Sequence, residues 1–207
     1  MKGTRSRLVV CVSTELEGSL LRAHVSAVVT GVGAVNAAYA LTRFLANEQV
    51  DEFISCGIGG AYPGSGLSIG DVVCAESECY GDLGANSPEG FLDMKELGFP
   101  LVPGDSPIFN TFPIQIFPAQ RRARFITVNT CTGADADARA IEARTGGAVE
   151  SMEGAAIAHV AALSGIPVGE IRGISNMAGN RDRSAWRVKE AAIAAQEALL
   201  DWIRRRV

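Results

Sequence analysis

Residues 53–60, FISCGIGG, lead a short apolar run directly into a glycine-rich segment, and this stretch decides the fold. The apolar run predicts a buried strand over 53–56, and the glycines after it predict either a tight turn or a place where a ligand approaches backbone N–H groups closely. Runs of the same kind alternate with helical patterns on both sides of it. Strands that alternate with helices predict an α/β fold with a largely parallel sheet covered on both faces.

The predicted elements cover most of the 207 residues, a length that suits one large domain. The predicted strands are 8–13, 25–30, 53–56, 71–75, 124–131, 148–150 and 167–174. The predicted helices are 15–22, an alanine-rich helix that ends near Leu45, 135–144, 152–163 and 185–206. We therefore expect residues 1–207 to form a single domain.

Residues 81–120 depart from this pattern and predict an insertion. Six of the eight prolines and five of the eight phenylalanines fall between Pro88 and Pro118. The segment is too rich in proline for regular structure and too aromatic for a disordered linker. We expect it to pack over one end of the sheet, either as a structural flap or as a lid that contacts the substrate.

Composition and charge exclude several classes of partner. The net charge is -4, aromatic residues make up 6%, and no basic stripe is present, so neither nucleic acid nor an anionic membrane is expected. No stretch is long enough to span a bilayer. The five cysteines lack CxxC spacing and the two histidines form no cluster, so we expect no metal site and no cofactor. Reduced thiols favour a cytoplasmic protein.

Polar side chains and glycines follow the predicted strands, which is where α/β sheets bind ligands. These segments are 13–15, 30–33, 57–60, 132–133, 151–153 and 175–176. Within them, Glu15, Glu153 and Asn176 supply two carboxylates and an amide that can act in catalysis. The sequence has no Ser/His/Asp or Cys/His arrangement typical of a covalent nucleophile.

Both acids also have a structural interpretation. Ser151 can serve as an N-cap, which places Glu153 in the first turn of a helix, where the helix dipole favours a carboxylate. The residues around Glu153 are apolar or small, however, and this indicates a helix start that packs against the interior. A carboxylate in that setting is a functional candidate. Glu15 has the same alternative, as an acid early in a predicted helix.

Residues 31–36, GVGAVN, imitate a dinucleotide-binding fingerprint. They follow a predicted strand, and Asp51 and Glu52 lie about twenty residues further on, as that fingerprint requires. Asn36 stands where the third glycine belongs. A tight turn into a helix, or an anion site of another kind, is therefore the favoured interpretation, and NAD is not expected.

Three segments, GIGGA at 57–61, VESMEGAA at 149–156 and RGISN at 172–176, resemble the nucleoside phosphorylase and nucleosidase superfamily. Their order and spacing are similar to those of methylthioadenosine/S-adenosylhomocysteine nucleosidases across nearly the whole chain. Finer features resemble the futalosine hydrolases, and they lie at 31–38, 57–71, 90–94, 174–176, 179–183 and 186–187. The resemblance implies a homo-oligomer whose subunit is a three-layer sandwich, with a twisted, mostly parallel but mixed central sheet flanked by helices.

The resemblance also implies roles for the candidate residues. Glu153 would bind the ribose 2′- and 3′-hydroxyls, Met152 would pack on the sugar, and Glu15 would orient the attacking water. The residues that would lie beside the purine and the water are Gly57, Ile58 and Gly59.

Asn176 falls where adenine-specific nucleosidases carry a catalytic aspartate. Its amide NH₂ offers two donors, and a 6-oxopurine presents two acceptors, N7 and O6, so Asn176 favours hypoxanthine over adenine. An amide cannot deliver a proton, so water or another acid must protonate the leaving purine. Asp182 is a candidate for that acid.

The reaction that the resemblance implies is hydrolysis of futalosine to hypoxanthine and dehypoxanthinyl futalosine, a step of an alternative menaquinone pathway. Futalosine is an inosine whose 5′ end carries a benzoate-bearing tail, and a carboxylate of that kind suits an arginine. The candidates are Arg181, Arg183 and Arg187, for which solvated charge near a helix start is the structural alternative.

Three other functions stay open at the level of sequence. A nucleosidase for 6-amino substrates such as methylthioadenosine or aminofutalosine is one, and a non-catalytic nucleotide-binding protein on the same fold is another. A purine nucleoside phosphorylase is the third. It needs a phosphate cradle, which the glycine turn at 31–33 can supply in part, although no arginine lies near that turn in the sequence. Glu15 favours water as the nucleophile.

Overall fold

The computed structural model describes residues 7–206, in which four α-helices surround a mixed eight-stranded sheet. The strands are β1 Leu8–Val12, β2 Ser26–Val29, β3 Glu52–Ala61, β4 Val72–Tyr80, β5 Gly84–Ser87, β6 Gly90–Asp93, β7 Thr111–Pro113, β8 Arg122–Thr127, β9 Val149–Ser151 and β10 Val168–Met177. The helices are α1 Ala34–Leu45, α2 Asp135–Thr145, α3 Gly154–Leu163 and α4 Val188–Arg206.

Five strands of the sheet pair in a closed ring, in the order β3, β10, β4, β8 and β9. β1 and β2 extend the sheet from β3, and β7 pairs with β4. β3 has ten residues, which allows it to pair with β1 along its first half and with β9 at its end. β4, β8 and β9 run opposite to β1, β2, β3 and β10. The mixed sheet that the resemblance implies is therefore confirmed, with ring closure added to it.

Helices cover both faces of the sheet, as the sequence predicts. Phe53 and Ile54 are adjacent in β3 and belong to different hydrophobic cores, so the two cores lie on opposite faces. α1 and α3 pack against each other over the first core, which contains Ile157, and α4 packs over the second, which contains Leu199. Within residues 7–206, no helix combines the length and the apolar character that a membrane span requires.

The glycines of 57–60 lie inside β3 and not in the predicted turn. A Cβ built on Gly57 would collide with Arg172 Nη1 and Glu17 Oε1, and one on Gly59 would lie 2.6 Å from Val149 Cγ1. These glycines are needed because other side chains cross close to the strand, and not because the backbone turns. The prediction of a turn at 57–60 is wrong for that reason.

The segment 15–22 forms successive turns instead of the predicted helix. Most of its backbone hydrogen bonds join residues three apart, and not four apart as in an α-helix: the N–H of Gly18 donates to the carbonyl of Glu15, and the N–H of Ser19 donates to that of Leu16. The Ser19 hydroxyl also donates to the Leu16 carbonyl, at 2.9 Å. Such local side-chain bonds compete with the helical pattern.

The C-terminal helix begins at Val188, three residues later than predicted. A 3₁₀ turn, Arg183–Ala185, comes first, and the carboxylate of Asp182 accepts the backbone N–H of Ser184 at its start. Trp186 then has extended backbone angles, which separate this turn from α4.

Residues 81–120 form the β5–β6 hairpin, β7 and irregular chain between them. Phe112 and Ile114 of this segment are buried in the core beside α3, and the Phe112 ring stacks on His159 with 5.1 Å between ring centres. None of its described residues lines the cavity discussed below, which favours the structural flap over the lid.

Candidate active site

A cavity of about 410 Å³ opens where β1, β3, β9 and β10 end, and its size lies within the range usual for small-molecule sites. Residues from segments 13–17, 58–60, 131–132, 150–153, 175–177 and 179–188 line it, together with Val32. The charged groups in the described wall are three carboxylates, from Glu17, Glu150 and Glu153, and one guanidinium, from Arg181. The segments that follow the predicted strands thus meet at one place.

Glu153 is buried in this wall between two helix starts. It is the N-cap residue of α3, but its side chain makes no capping bond there, and its Oε1 accepts the N–H of Gly33 at 2.8 Å. Gly33 is the N-cap residue of α1, so the positive ends of two helix dipoles favour negative charge on Glu153. Ser151, the predicted N-cap, lies in β9 instead, and Glu153 takes the N-cap position of α3 without a capping bond from its side chain.

Glu17, and not Glu15, is the acid that the first loop places in the cavity. Glu17 is 5% exposed, its Oε1 accepts the N–H of Ile58 at 3.0 Å, and its Oε2 accepts the Thr14 hydroxyl at 2.8 Å. Glu15 has 72% of its side chain exposed and pairs with Arg22 on the surface. The expectation that Glu15 lies at the site is therefore wrong, and the acid found in the cavity is Glu17, two residues further along the same series of turns.

Arg172 is a fully buried cation whose charge interacts with those of Glu17 and Glu153. Its guanidinium donates to Glu170 at 2.8 Å and to the Ser55 hydroxyl at 2.9 Å. Burial alone would lower the pKa of Arg172, but the charges of Glu170, Glu153 and Glu17 more than offset it, and the pKa is raised. Arg172 therefore stays charged and places a fixed positive charge among these carboxylates.

A further buried acid, Glu78, meets Glu170 at the start of α3. A Cβ built on Gly154 would lie 2.5 Å from both Glu170 oxygens and 2.7 Å from Glu78 Oε2, so the two carboxyl groups converge there. Burial, and next the charge of Glu170, raises the pKa of Glu78 well above its usual value. Glu78 Oε1 accepts the Thr127 hydroxyl at 2.9 Å, whereas no donor reaches Oε2. That pattern fits a proton on Oε2.

Glu150 is a lining residue that the sequence analysis missed. Its Oε1 accepts the backbone N–H of Thr132 at 2.9 Å, and its Oε2 accepts the hydroxyls of Tyr62, at 2.9 Å, and Thr132. Burial, and next the charge of Glu150, raises the pKa of Tyr62, so the phenol stays a donor. The sequence feature that could have identified Glu150 is the presence of an acid within the short strand that precedes Glu153. Glu150 fixes the loop at 131–132 against the cavity.

Asn176 reaches the cavity at a bulge in β10. The pairing of β10 with β3 shifts register between Ile174 and Asn176, which leaves Ser175 as the extra residue, and bulges of this kind redirect side chains. Asn176 Oδ1 accepts the Ser175 hydroxyl at 2.7 Å, and Nδ2 donates one hydrogen to the Met177 carbonyl at 3.0 Å. One amide hydrogen is therefore left for a ligand, and not the two expected from the sequence.

Of the remaining predicted contacts near the sugar and purine, Ile58, Gly59 and Met152 line the cavity. Gly57 does not line it, since it lies behind the wall where the Arg172 and Glu17 side chains pass close to its backbone. Its part in the site is to leave room for those two side chains.

Arg181 is the arginine that reaches the cavity, beside Trp186. Its guanidinium carbon lies 5.1 Å from the centre of the Trp186 ring, a cation–π distance. Arg183 and Arg187 are exposed and lie outside the wall, so Arg181 is the one of the three candidate arginines that lines the cavity. The reason is local: Arg183 lies in the 3₁₀ turn between Arg181 and Trp186, and the Arg187 guanidinium donates to the carbonyls of Ser184 and Trp186.

Asp182 does not suit the role of acid. It is exposed outside the cavity wall, and it accepts hydrogen bonds from the hydroxyl of Ser184, at 2.6 Å, and from its backbone N–H, at 3.0 Å. These bonds lower the pKa of Asp182, which keeps the group ionised at neutral pH. The proton for the leaving group must have another source.

A family model described as the phosphorylase superfamily matches residues 13–205. A futalosine hydrolase of Thermus thermophilus is 38% identical over 179 residues, which cover 82% of this chain and 77% of that protein. A futalosine hydrolase of Streptomyces coelicolor is 36% identical over 175 residues, which cover 82% of this chain and 74% of that protein. The chain belongs to the futalosine hydrolase family of the phosphorylase superfamily.

Solved structures of other proteins share the fold of this futalosine hydrolase family member. A methylthioadenosine/S-adenosylhomocysteine nucleosidase of Streptococcus pneumoniae, in complex with 8-aminoadenine, matches with a TM-score of 0.80 at 21% identity, over 96% of this chain and 99% of that one. The corresponding enzyme of Neisseria meningitidis matches with a TM-score of 0.79 at 19% identity, over 96% and 98%. The predicted α/β, nucleoside phosphorylase-like fold is thereby confirmed.

Proposed function

We propose that this protein hydrolyses the N-glycosidic bond of futalosine and releases hypoxanthine and dehypoxanthinyl futalosine. The observation that carries the proposal is that Glu17, Glu153 and Asn176, from three separate parts of the chain, line one cavity. Two acids and an amide around a single bond are what cleavage of a nucleoside requires. The futalosine hydrolase relatives support the choice of substrate.

Glu153 is the residue that we propose binds and stabilises the ribose. N-glycosidic cleavage develops positive charge on the ribose, and an enzyme gains most by stabilising charge that appears only in the transition state. Oε1 of Glu153 is held by the N–H of Gly33, which leaves Oε2 to accept the ribose hydroxyls. Met152, next to it in the wall, supplies an apolar surface for the sugar.

Glu17 is the general base that we propose for water activation. The N–H of Ile58 and the hydroxyl of Thr14 each occupy one of its oxygens, and a carboxylate retains further acceptor positions for a water molecule. A positioned base of this kind contributes about 10²–10⁴-fold to the rate. The fully buried Arg172 approaches the same face of Gly57 as Glu17 and places a positive charge beside that carboxylate.

The purine side belongs to Asn176, whose free amide hydrogen can donate to N7 or O6 of hypoxanthine. A neutral donor avoids the repulsion that an ionised aspartate would exert on O6. Because an amide releases no proton and Asp182 is excluded, we assign protonation of the leaving purine to water in the cavity.

Water is favoured over phosphate as the nucleophile by the charges of the cavity. The described wall carries three carboxylates against one guanidinium, which disfavours a phosphate dianion near the sugar. The N–H of Gly33, which might have begun a phosphate cradle or a dinucleotide site at the start of α1, is already bonded to Glu153. This argues against both the phosphorylase and the NAD alternatives.

The test is hypoxanthine release from futalosine, measured with and without inorganic phosphate. We expect a rate independent of phosphate, a loss of about 10²–10⁴-fold for Glu17→Gln, and a loss of about 10²-fold or more for Glu153→Gln. Glu15→Gln is the matched control: it makes the same chemical change two residues away, on the surface, and should keep wild-type activity. Full activity in Glu17→Gln, or a loss in Glu15→Gln alone, would refute the assignment.

We also propose that the protein is a cytoplasmic homo-oligomer. Val32, just before α1, and Val35 and Tyr39 within it are 51%, 80% and 62% exposed, and Val32 also lines the cavity, so these apolar side chains suit a subunit contact. The unpaired cysteines suit a reducing compartment. Light scattering of the purified protein tests the oligomer, and a monomeric mass at working concentration would refute it.

A further inference from the structure

Arg181 stands apart from the other charged groups of the cavity. The ion pairs found among residues 7–206 do not include it, although its guanidinium shares a wall with three carboxylates. Arg172, the other arginine near this site, is by contrast fully buried and paired with Glu170. The donors of Arg181 are therefore available to an anionic ligand.

The position of Arg181 is set by a clamp on the preceding residue. The carboxylate of Asp135, the first residue of α2, accepts the backbone N–H of Asn180 at 2.9 Å and its side-chain amide at 2.6 Å. Gly179 has a φ of 142°, and a Cβ there would collide with Asp135 Oδ1, so the clamp needs this glycine. The Arg181 stem then runs past Gly133, with Cδ 3.8 Å from where a Cβ on that residue would lie.

Two further contacts define the surroundings of the guanidinium. It lies over the Trp186 ring, and its charge acts on the nearby Cys131 thiol, whose pKa is raised by burial and only partly lowered by Arg181. A thiol that stays protonated does not neutralise the arginine. The result is a planar cation beside a flat indole, on a loop held against α2.

We propose that Arg181 and Trp186 form a subsite for an aromatic carboxylate attached to the nucleoside. A guanidinium binds a carboxylate through two parallel hydrogen bonds, and an indole face packs on an aromatic ring. The three carboxylates elsewhere in the wall repel the same group, so its charge also determines which way round the substrate binds. This inference rests on the proposed function, because futalosine is a nucleoside that carries such a group.

The kinetic test compares futalosine with inosine, which lacks the tail. For Arg181→Gln we expect kcat/KM on futalosine to fall about tenfold, less at high salt because the guanidinium is exposed, with kcat/KM on inosine unchanged. Arg183→Gln is the matched control, since that arginine is two residues away and outside the cavity, and it should change neither value. Equal losses on both nucleosides, or no loss on futalosine, would overturn the inference.

A second measurement separates this inference from the proposed function, because it needs no turnover. Trp186 and Trp202 are the two tryptophans of the chain, so Trp202→Phe leaves Trp186 as the only indole fluorophore. We expect benzoate to change this fluorescence in a saturable way, and the change to be lost when Arg181→Gln is added. Inorganic phosphate at equal ionic strength should have no such effect. An equal effect of phosphate would overturn the proposal that Trp186 packs on an aromatic ring. If no nucleoside is cleaved but benzoate binds as expected, only the proposed function fails.

Discussion

Replacement of Gly57 by alanine tests how the buried part of the site is built. The added methyl group would lie less than 3.0 Å from Arg172 Nη1 and from Glu17 Oε1, which real Cβ contacts essentially never show. Neither neighbour moves freely. Arg172 is fully buried and bonded to Glu170 and Ser55, and Glu17 is held by backbone and hydroxyl donors.

The size of the effect follows from these distances. Ordinary van der Waals contact with a Cβ begins at 3.4 Å, whereas both groups lie less than 3.0 Å from the added methyl carbon. The guanidinium and the carboxylate must therefore each move away by more than 0.4 Å. Extra volume in a packed interior costs about 1–3 kcal/mol of folding free energy. A displacement of a catalytic group by about 1 Å costs about 10²-fold in rate, so we expect the forced retreat of Glu17 to cost about tenfold or more.

The assay combines urea unfolding with kcat for hypoxanthine release on the folded protein. Gly133→Ala is the control, because its Cβ would meet no atom closer than Arg181 Cδ at 3.8 Å, while its effect on the unfolded chain is the same. We expect Gly57→Ala to lose both stability and kcat, and Gly133→Ala to keep both. If Gly57→Ala unfolds at the wild-type urea concentration with wild-type kcat, the close approach of Arg172 and Glu17 to β3 is refuted.

Two further predictions concern Glu78 and Asn176. The folded-state pKa of Glu78 is raised above its ordinary value of 4.5, so its stabilising contribution is complete below that pH and is lost as pH rises toward the folded value. Glu78→Gln cannot ionise, so its melting temperature relative to wild type should increase from pH 5 to pH 8, and a constant or falling difference would contradict a buried proton. Asn176→Asp should shift the ratio of kcat/KM for futalosine to that for methylthioadenosine by about tenfold toward the 6-amino substrate, because a carboxylate repels O6 and can accept from an amino group. An unchanged ratio would show that Asn176 does not contact the base.

The fold could be predicted because its signals are local. Apolar runs bounded by glycine and separated by helical patterns indicate an α/β sheet whatever the partners of each strand are. Closure of the ring could not be predicted, since it depends on which strands pair across long separations, such as Gly60 with Glu150. The glycines at 57–60 indicate a turn in the sequence, and only the side chains that cross β3 explain why they lie inside a strand.

The sequence by itself determined that two acids and an amide follow the strands of an α/β sheet, because residue type and strand ends are local properties of the chain. The tertiary structure alone decided which side chains meet. Glu15 and Glu17 are two residues apart in one series of turns, and only the position of the Ile58 N–H selects Glu17. Arg181 is distinguished from Arg183 and Arg187 by the Asp135 clamp, which joins parts of the chain that no local pattern connects.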